Sequence, residues 1–591
     1  MSNKPGRFAY FWKELRRRNV LRSLAIYAGT AFIILEACNM LFPRWGFPDW
    51  SIDLVFWLLV LGAVINVFIA WVFDITPHGL QKTKPIEELP ESAYKSDSKA
   101  WKTATYASLA VIVALIVFNI VGGPKELRAG DIQSLLILPF DNYTGDDQLD
   151  YVAAGMQSSL IGEMGQISAL RIISKTTARV YKNLEMSLPQ MAAEVNADAV
   201  VESMVMCYGD SVCVQISVIT PFPEEKQLWT AEYKVEKSQI MNLYNRVTKK
   251  IAEEVMVQLT VEEEEHLLAE SRTINSEAYD LYLKGQYYWD QFTPEALQLA
   301  LEYFNKAIEA DPEWALPYAG VAYFWVAVHQ FSLAPSTVTI PNMFENLNKA
   351  FELDPHSSFV HYVSGLVNGW TTWNWEKAEE EFLKVIELSP NYALGHMYYA
   401  HILSCLRRND EAVLHCQIAL DLDPLNPMIQ ALSSLVWTTV GDYTEALKAC
   451  EKALSIVPNH PAALGNLVGV YAILGNYRQS LEIWTAAMYL DEETRSSILN
   501  TYDQQGLEAS ALEFISEIKQ LSGDFSVDLG QLYSMAGDDV KAMYWYEKAY
   551  EAHHPMLPYL PTGYYSNEPF KIENSALYSL LVKMNLPLPE E

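Results

Sequence analysis

A pattern that returns every 34 residues constrains the second half of this 591-residue chain more than any other feature. It is clearest from Ala393 to Pro424, from Pro427 to Pro458 and from Pro461 to Glu492. Each block places a small residue at the same point: Ala412, Ala446 and Ser480. One helical turn later come Cys416, Cys450 and Trp484, and then Ala419, Ala453 and Ala487. The first two blocks close on Pro424 and Pro458. Small residues at helical spacing let two helices cross closely, and proline does not continue a helix. The expected unit is therefore a pair of antiparallel helices, stacked on its neighbours into an all-α solenoid. Such arrays build extended binding surfaces.

This period resembles the tetratricopeptide repeat (TPR), and repeats thread from residue 276 to 551. Thr293-Pro294-Glu295 reads as an N-cap followed by proline at the first helical position. Gly441-Asp442, Gly475-Asn476 and Gly537-Asp538 read as tight turns inside repeats, and Ser332 to Ile340 as an insertion. Residues 493–523 are helical but atypical. Residues 552–591 read as a capping segment, with an amphipathic helix at 574–586. The positions that line the concave groove in that family fall here on Phe359, Tyr362, Leu366, Gly369 and Trp370. The next two repeats supply Leu394, Met397, His401, Ser404 and Cys405, then Met428, Ala431, Leu435, Thr438 and Thr439. The Lys/Asn/Arg clamp of chaperone-binding repeats is absent from them, so the resemblance implies an apolar or amphipathic protein segment as ligand. The alternative is that these side chains pack on neighbouring repeats or on the chain's own tail.

The net charge of −31 is unevenly spread. Residues 1–121 carry 13 Lys/Arg against 9 Asp/Glu, the remainder 29 against 64. Such an acidic body argues against a nucleic-acid partner. Apolar runs at 25–42, 52–73 and 103–121 each approach the length of a membrane span, with Trp45, Trp50 and Trp101 beside them. Lys and Arg concentrate before the first run and in the 74–102 loop. The positive-inside rule then predicts three transmembrane helices in a bacterial inner membrane. Residues 1–24 and 74–102 would be cytoplasmic, and everything after the third span periplasmic. A cleaved signal peptide and a re-entrant hairpin are the alternatives for the first runs. Glu36 lies inside the first, either as a functional carboxylate or bonded to a neighbouring helix.

Residues 132–262 read as a mixed α/β unit with helices on one face of the sheet. Its strands fall at Ser134–Phe140, Leu170–Ser174, Ala199–Cys207, Val212–Thr220 and Gln227–Tyr233. The segments LLILPFDNYTGDDQLDYVAAGM (135–156), LRIISKTTARVYKN (170–183), MAAEVNADAVVESMV (191–205) and QLWTAEY (227–233) resemble the amino-terminal domain of TolB. Residues up to 83, with FWKELRRRNV, LFPRWGFPDW and WVFDITPHGLQKT, resemble a membrane module found with it. Relatives of this architecture attach it to an adenylate cyclase, a protein kinase or a winged-helix regulator. Here the first apolar run starts too early for such a domain to precede it. Cys207 and Cys213 flank a hairpin turn and would face each other across it, either bridged or as two reduced hydrophobes.

No nucleophile elbow, phosphate-binding loop, dinucleotide turn or metalloprotease motif is present. His401, Cys405, His415 and Cys416 are the nearest thing to a metal set, with core packing as the alternative. No catalytic residue, cofactor or metal is expected. The functional expectation is a non-enzymatic, membrane-anchored scaffold or ligand sensor. It would contact the lipid bilayer and bind a protein partner through exported repeats. The alternative is a regulatory subunit of a signalling system whose output is a separate cytoplasmic partner.

Overall fold

The structure, a computed structural model, describes residues 20–587 apart from 42–49, 77–78, 83–128, 223, 269–271, 292, 332, 522 and 563–574. It divides into two units, Met1–Lys125 and Glu126–Glu591.

In the first unit, α1 (Val20–Leu41) and α2 (Trp50–Val72) form a helical hairpin, followed by the two-stranded ribbon of β1 (Phe73–Thr76) and β2 (Gly79–Lys82). Ser23 Oγ donates to Asn66 Oδ1 at 2.8 Å, and Tyr27 Oη to the Leu59 carbonyl at 2.8 Å. Trp57, Leu61, Val64 and Phe68 stay exposed on α2. Among the described residues no helix is long and apolar enough to cross a membrane. This corrects the expectation of three transmembrane helices, and with it the multi-pass inner-membrane placement. The first two apolar runs carry polar groups that an averaged hydropathy passes over, Tyr27 in the first and Asn66 in the second, and both bond between the arms of the hairpin. The third run, 103–121, lies outside the described residues, as does the side chain of Glu36.

The second unit opens on a mixed sheet in the order β5-β3-β6-β7-β8, with β4 on β6. Its strands are β3 (Ser134–Ile137), β4 (Asp141–Asn142), β5 (Arg171–Ile173), β6 (Ala199–Tyr208), β7 (Ser211–Thr220) and β8 (Lys226–Glu236). β3 runs parallel to β5 and β6; the β6–β7–β8 meander is antiparallel. Every residue of β3 is buried, as a strand covered on both faces requires. Leu135 and Ile137 pack with α3 (Asp150–Met164) and α6 (Ile240–Glu254). Leu136 packs the other way, with α4 (Lys175–Val180) and α5 (Leu188–Glu194). Helices thus cover both faces here, not one. On α6, Ile240, Leu243, Tyr244, Val247 and Ile251 form the buried stripe of an amphipathic helix. The short α7 (Val261–Leu268) leads to the repeats.

Eight helix pairs follow. They are α8 (Ser276–Trp289) with α9 (Pro294–Ala310), α10 (Ala315–Gln330) with α11 (Ser336–Leu353), α12 (Ser358–Trp370) with α13 (Trp375–Leu388), and α14 (Ala393–Cys405) with α15 (Asn409–Leu422). Then come α16 (Pro427–Thr439) with α17 (Tyr443–Ile456), α18 (Pro461–Ile473) with α19 (Tyr477–Ala487), α20 (Glu492–Gln505) with α21 (Leu507–Ile518), and α22 (Ser526–Met535) with α23 (Asp539–Glu551). Thr293 caps α9 ahead of Pro294, and Asn426 caps α16 ahead of Pro427. Much of the segment read as an insertion is the start of α11. Ala412, Cys416 and Ala419, and likewise Ala446, Cys450 and Ala453, are fully buried at the crossings. On the facing helices glycine does the same: a Cβ on Gly365 would stand 2.8 Å from the Phe382 ring, and one on Gly285 2.5 Å from Phe304. Gly441, at φ +80°, makes the turn between α16 and α17 in the left-handed region.

From the end of α23 the chain returns onto earlier repeats. Tyr550 and His553 stack on Trp373, with centroids 5.1 and 4.8 Å apart. Residues 557–562 form a 3-10 helix. In α24 (Ser575–Lys583) and just beyond it, Leu580, Leu581 and Met584 are buried, and the Met584 carbonyl accepts from Trp375 Nε1 at 2.7 Å.

The crossings generate a test of register. Ala453→Leu overpacks a closed site and should cost about 1–3 kcal/mol in chemical denaturation. Lys448→Leu, at an exposed position where Lys448 pairs with Glu445, should change stability by no more than about 0.5 kcal/mol. Equal costs at the two positions would contradict the register.

Candidate functional site

The expected groove residues come from three successive inner helices. Phe359, Tyr362, Leu366 and Trp370 lie on α12; Leu394, Met397 and His401 on α14; Met428 and Leu435 on α16. Tyr362, Leu366, Trp370, Met397, His401 and Leu435 are buried, and Phe359, Leu394 and Met428 half-buried. The aromatic rings gather into one cluster: Tyr362 meets Phe359, Phe382, Tyr392 and Tyr398, and Trp370 meets Tyr398 at 5.3 Å.

The chain's own 3-10 segment reaches this cluster. Trp370 Nε1 donates to Tyr559 Oη at 3.1 Å, and Tyr559 Oη lies 2.7 Å from His401 Nδ1. His401 Nε2 lies 3.0 Å from the Leu432 carbonyl, which only accepts. Nε2 therefore carries the proton and Nδ1 accepts from the tyrosine. Burial pushes His401 down to about 4, consistent with a neutral ring.

A second contact joins the α/β unit to the repeats through α4 and the strand before it. Thr177 donates from N and Oγ1 to Asp423 Oδ1 at 3.0 and 2.7 Å, and its Oγ1 accepts from Leu425 N at 2.9 Å. Ser174 N donates to the Leu422 carbonyl at 2.9 Å. Asn391 accepts from Ile172 N at 2.9 Å and donates to the Ile167 carbonyl at 3.1 Å. From both ends of the same α4, Lys175 Nζ is 3.0 Å and Arg179 Nη2 2.8 Å from Asp290, the C-cap of α8. Burial alone would raise Asp290, but the two cations hold it below its ordinary value. Burial pushes the Asp423 carboxyl up, against hydrogen bonds from Asn426 and Thr177.

Cys207 and Cys213 pair across β6 and β7 and are joined by a disulfide. The four residues weighed as a metal set are not brought together. His401 faces Tyr559, His415 Nδ1 lies 2.9 Å from His396 Nδ1, and burial pushes the Cys405 and Cys416 thiols up to about 12. Among the described residues no group of three or more His, Cys, Asp or Glu is placed to hold a metal ion. Sequence reasoning missed α4 and Asp290, Asn391 and Asp423. The last two stand beside Pro390 and Pro424, at turns between repeats, and that position was the signal available.

No family model matches the chain. It is 26% identical over 251 residues to a protein of Rhizobium meliloti (strain 1021) provisionally named adenylate cyclase 3, covering 42% of each. It is also 26% identical over 144 residues to the transcriptional regulator HilA of Salmonella typhimurium, covering 24% of this chain and 26% of HilA. The chain thus spans less than half the length of these curated relatives. Among solved structures, a thermophilic TPR protein of Thermus thermophilus is 17% identical with a TM-score of 0.27, covering 34% of this chain and 98% of its own. YrrB, described as a TPR protein with an unusual peptide-binding site, is 23% identical with a TM-score of 0.22, covering 31% and 90%.

Two outcomes follow from this geometry. Thr177→Val leaves buried Leu425 N–H without its acceptor and should cost about 1–3 kcal/mol, with faster hydrogen exchange in α4 and at Leu425. Unchanged exchange there would show that the docking does not depend on this bond. The second outcome concerns pH. Because the folded pKa of His401 is depressed, its stabilisation is full above about 6.5 and is lost as pH falls towards 4, on the order of 3 kcal/mol. Burial pushes His396 and His554 to about 4 as well, with the same sign, while Asp528, pushed up to about 6, works the other way. The melting temperature should therefore drop between pH 6.5 and 4, and less steeply in His401→Gln. An equally steep drop in that variant would remove His401 from the account.

Proposed function

We propose that this chain is a non-enzymatic interaction protein that holds a protein partner through its tetratricopeptide-type repeats. The supporting observation is the cluster of apolar and aromatic side chains that α12, α14 and α16 gather, edged by half-buried Phe359, Leu394 and Met428 and without a charged clamp among the expected positions. Such a surface suits an apolar or amphipathic segment, with aromatic side chains as the energetic anchors. The surplus of acidic residues after residue 121 supports a protein over a nucleic acid.

A second reading is a regulatory or sensor component of a signalling system whose output lies in a separate partner. It draws support from the names of the two curated relatives, a cyclase and a transcriptional regulator. The likeness of residues 132–262 to the amino-terminal domain of TolB fits either reading, since it supplies a second binding module beside the repeats.

The test is selection of peptides from a displayed library of amphipathic segments on the full chain. Phe359→Asp, Leu394→Asp and Met428→Asp, at the half-buried positions, should each weaken the selected peptides by about tenfold or more while melting stays near wild type. Selected peptides indifferent to all three changes would overturn the groove as the binding surface.

A further inference from the structure

The segment that reaches the groove is built as a ligand is built. Residues 555–562 read Pro-Met-Leu-Pro-Tyr-Leu-Pro-Thr, with proline at every third position. A 3-10 helix has three residues per turn, so side chains three apart share a face. Within the 3-10 helix Leu557 and Leu560 share one face, and Pro558 and Tyr559 take the other two. Leu557, Leu560 and Tyr559 are buried, the two leucines almost completely. The prolines narrow the freedom of the free segment, so docking it loses little conformational entropy.

The groove's polar groups define what this ligand must offer. Trp370 Nε1 is a donor only, and His401 Nδ1 is held as an acceptor by the bond from Nε2 to Leu432. Both converge on one oxygen. A hydroxyl satisfies them together, because it accepts one hydrogen bond and donates another. An ionised carboxylate or phosphate cannot donate to His401, an ammonium cannot accept from Trp370, and a phenyl ring does neither. The groove is therefore matched to an aromatic hydroxyl set between leucines.

We propose that residues 557–562 act as an intramolecular ligand that closes the groove of the third and fourth repeats. The partner in trans is then a short proline-spaced peptide that presents an unmodified tyrosine between leucines and displaces this segment. This deepens, and rests on, the reading of the repeats as a protein-binding array. Closure in cis makes binding conditional: the partner must compete with a segment already tethered beside the site.

The experiment measures fluorescence polarisation of a labelled peptide of residues 553–562 on the full-length chain. Tyr559→Ala weakens the resident segment and should bind the peptide about tenfold or more tighter than wild type. Tyr559→Phe, which keeps the ring and its packing, should show a smaller gain in the same direction. A peptide with Phe or phosphotyrosine in place of the tyrosine should lose the gain. Circular dichroism melting accompanies each variant, and if Tyr559→Ala fails to fold, Tyr559→Phe carries the comparison. Equal affinity of wild type and variants overturns the proposal, as does a Phe peptide that binds as well as the Tyr peptide. If the variants take up an amphipathic helical peptide but not the tail peptide, this inference fails while the array remains a binding surface. If they take up neither, both fall.

Discussion

Everything in the repeat array rests on how closely paired helices approach at their crossings. Ala412, Cys416 and Ala419 on one helix, and glycines such as Gly365 on another, leave room for the facing side chains and no more. That spacing turns the inner helices so that Trp370 and His401, from neighbouring repeats, converge on one oxygen atom. A methylene added at a crossing would move the groups that define the groove, because interiors packed this tightly pass strain on to their neighbours.

The same stacking creates the platform for the α/β unit. Turns between repeats end in short polar segments, and the array lines up Asn391 and Asp423 within reach of β5 and α4. Buried polar groups there are paired across the junction, which makes the contact specific as well as stable. The repeat array and the mixed sheet thus share one polar seam. Asp290 and Asp423 are the two carboxylates of the array that α4 engages.

The repeats were legible because their signal is local: small residues recur at helical spacing, and Pro424 and Pro458 mark the exits. The mixed sheet was legible for the same reason, from apolar runs and turn residues. What joins the pieces was not. Tyr559 lies 189 residues from Trp370, and Thr177 246 residues from Asp423, so no window of sequence contains either contact. Helix α4 is only six residues long, too short to show a helical period. The residues expected to line a groove lie on α12, α14 and α16, but that a segment of the chain already meets Trp370 and His401 is a tertiary fact. The hydropathy reading of the first two apolar runs failed for a different reason: it averages over Tyr27 and Asn66, whose bonding within a hairpin only the fold reveals.

One consequence lies in the way α4 is held by two carboxylates from distant repeats, Asp290 through Lys175 and Arg179 and Asp423 through Thr177. At 1.5 Å per residue it spans about 9 Å. Yet it bonds Asp290 at the end of the first repeat's leading helix and Asp423 after the fourth repeat. A solenoid behaves as a spring, because each repeat touches only its neighbours and small rotations accumulate along it. A rigid crossbar between the first and fourth turns removes the softest mode of that spring, its change of pitch. Over this stretch the array is a braced coil of fixed curvature.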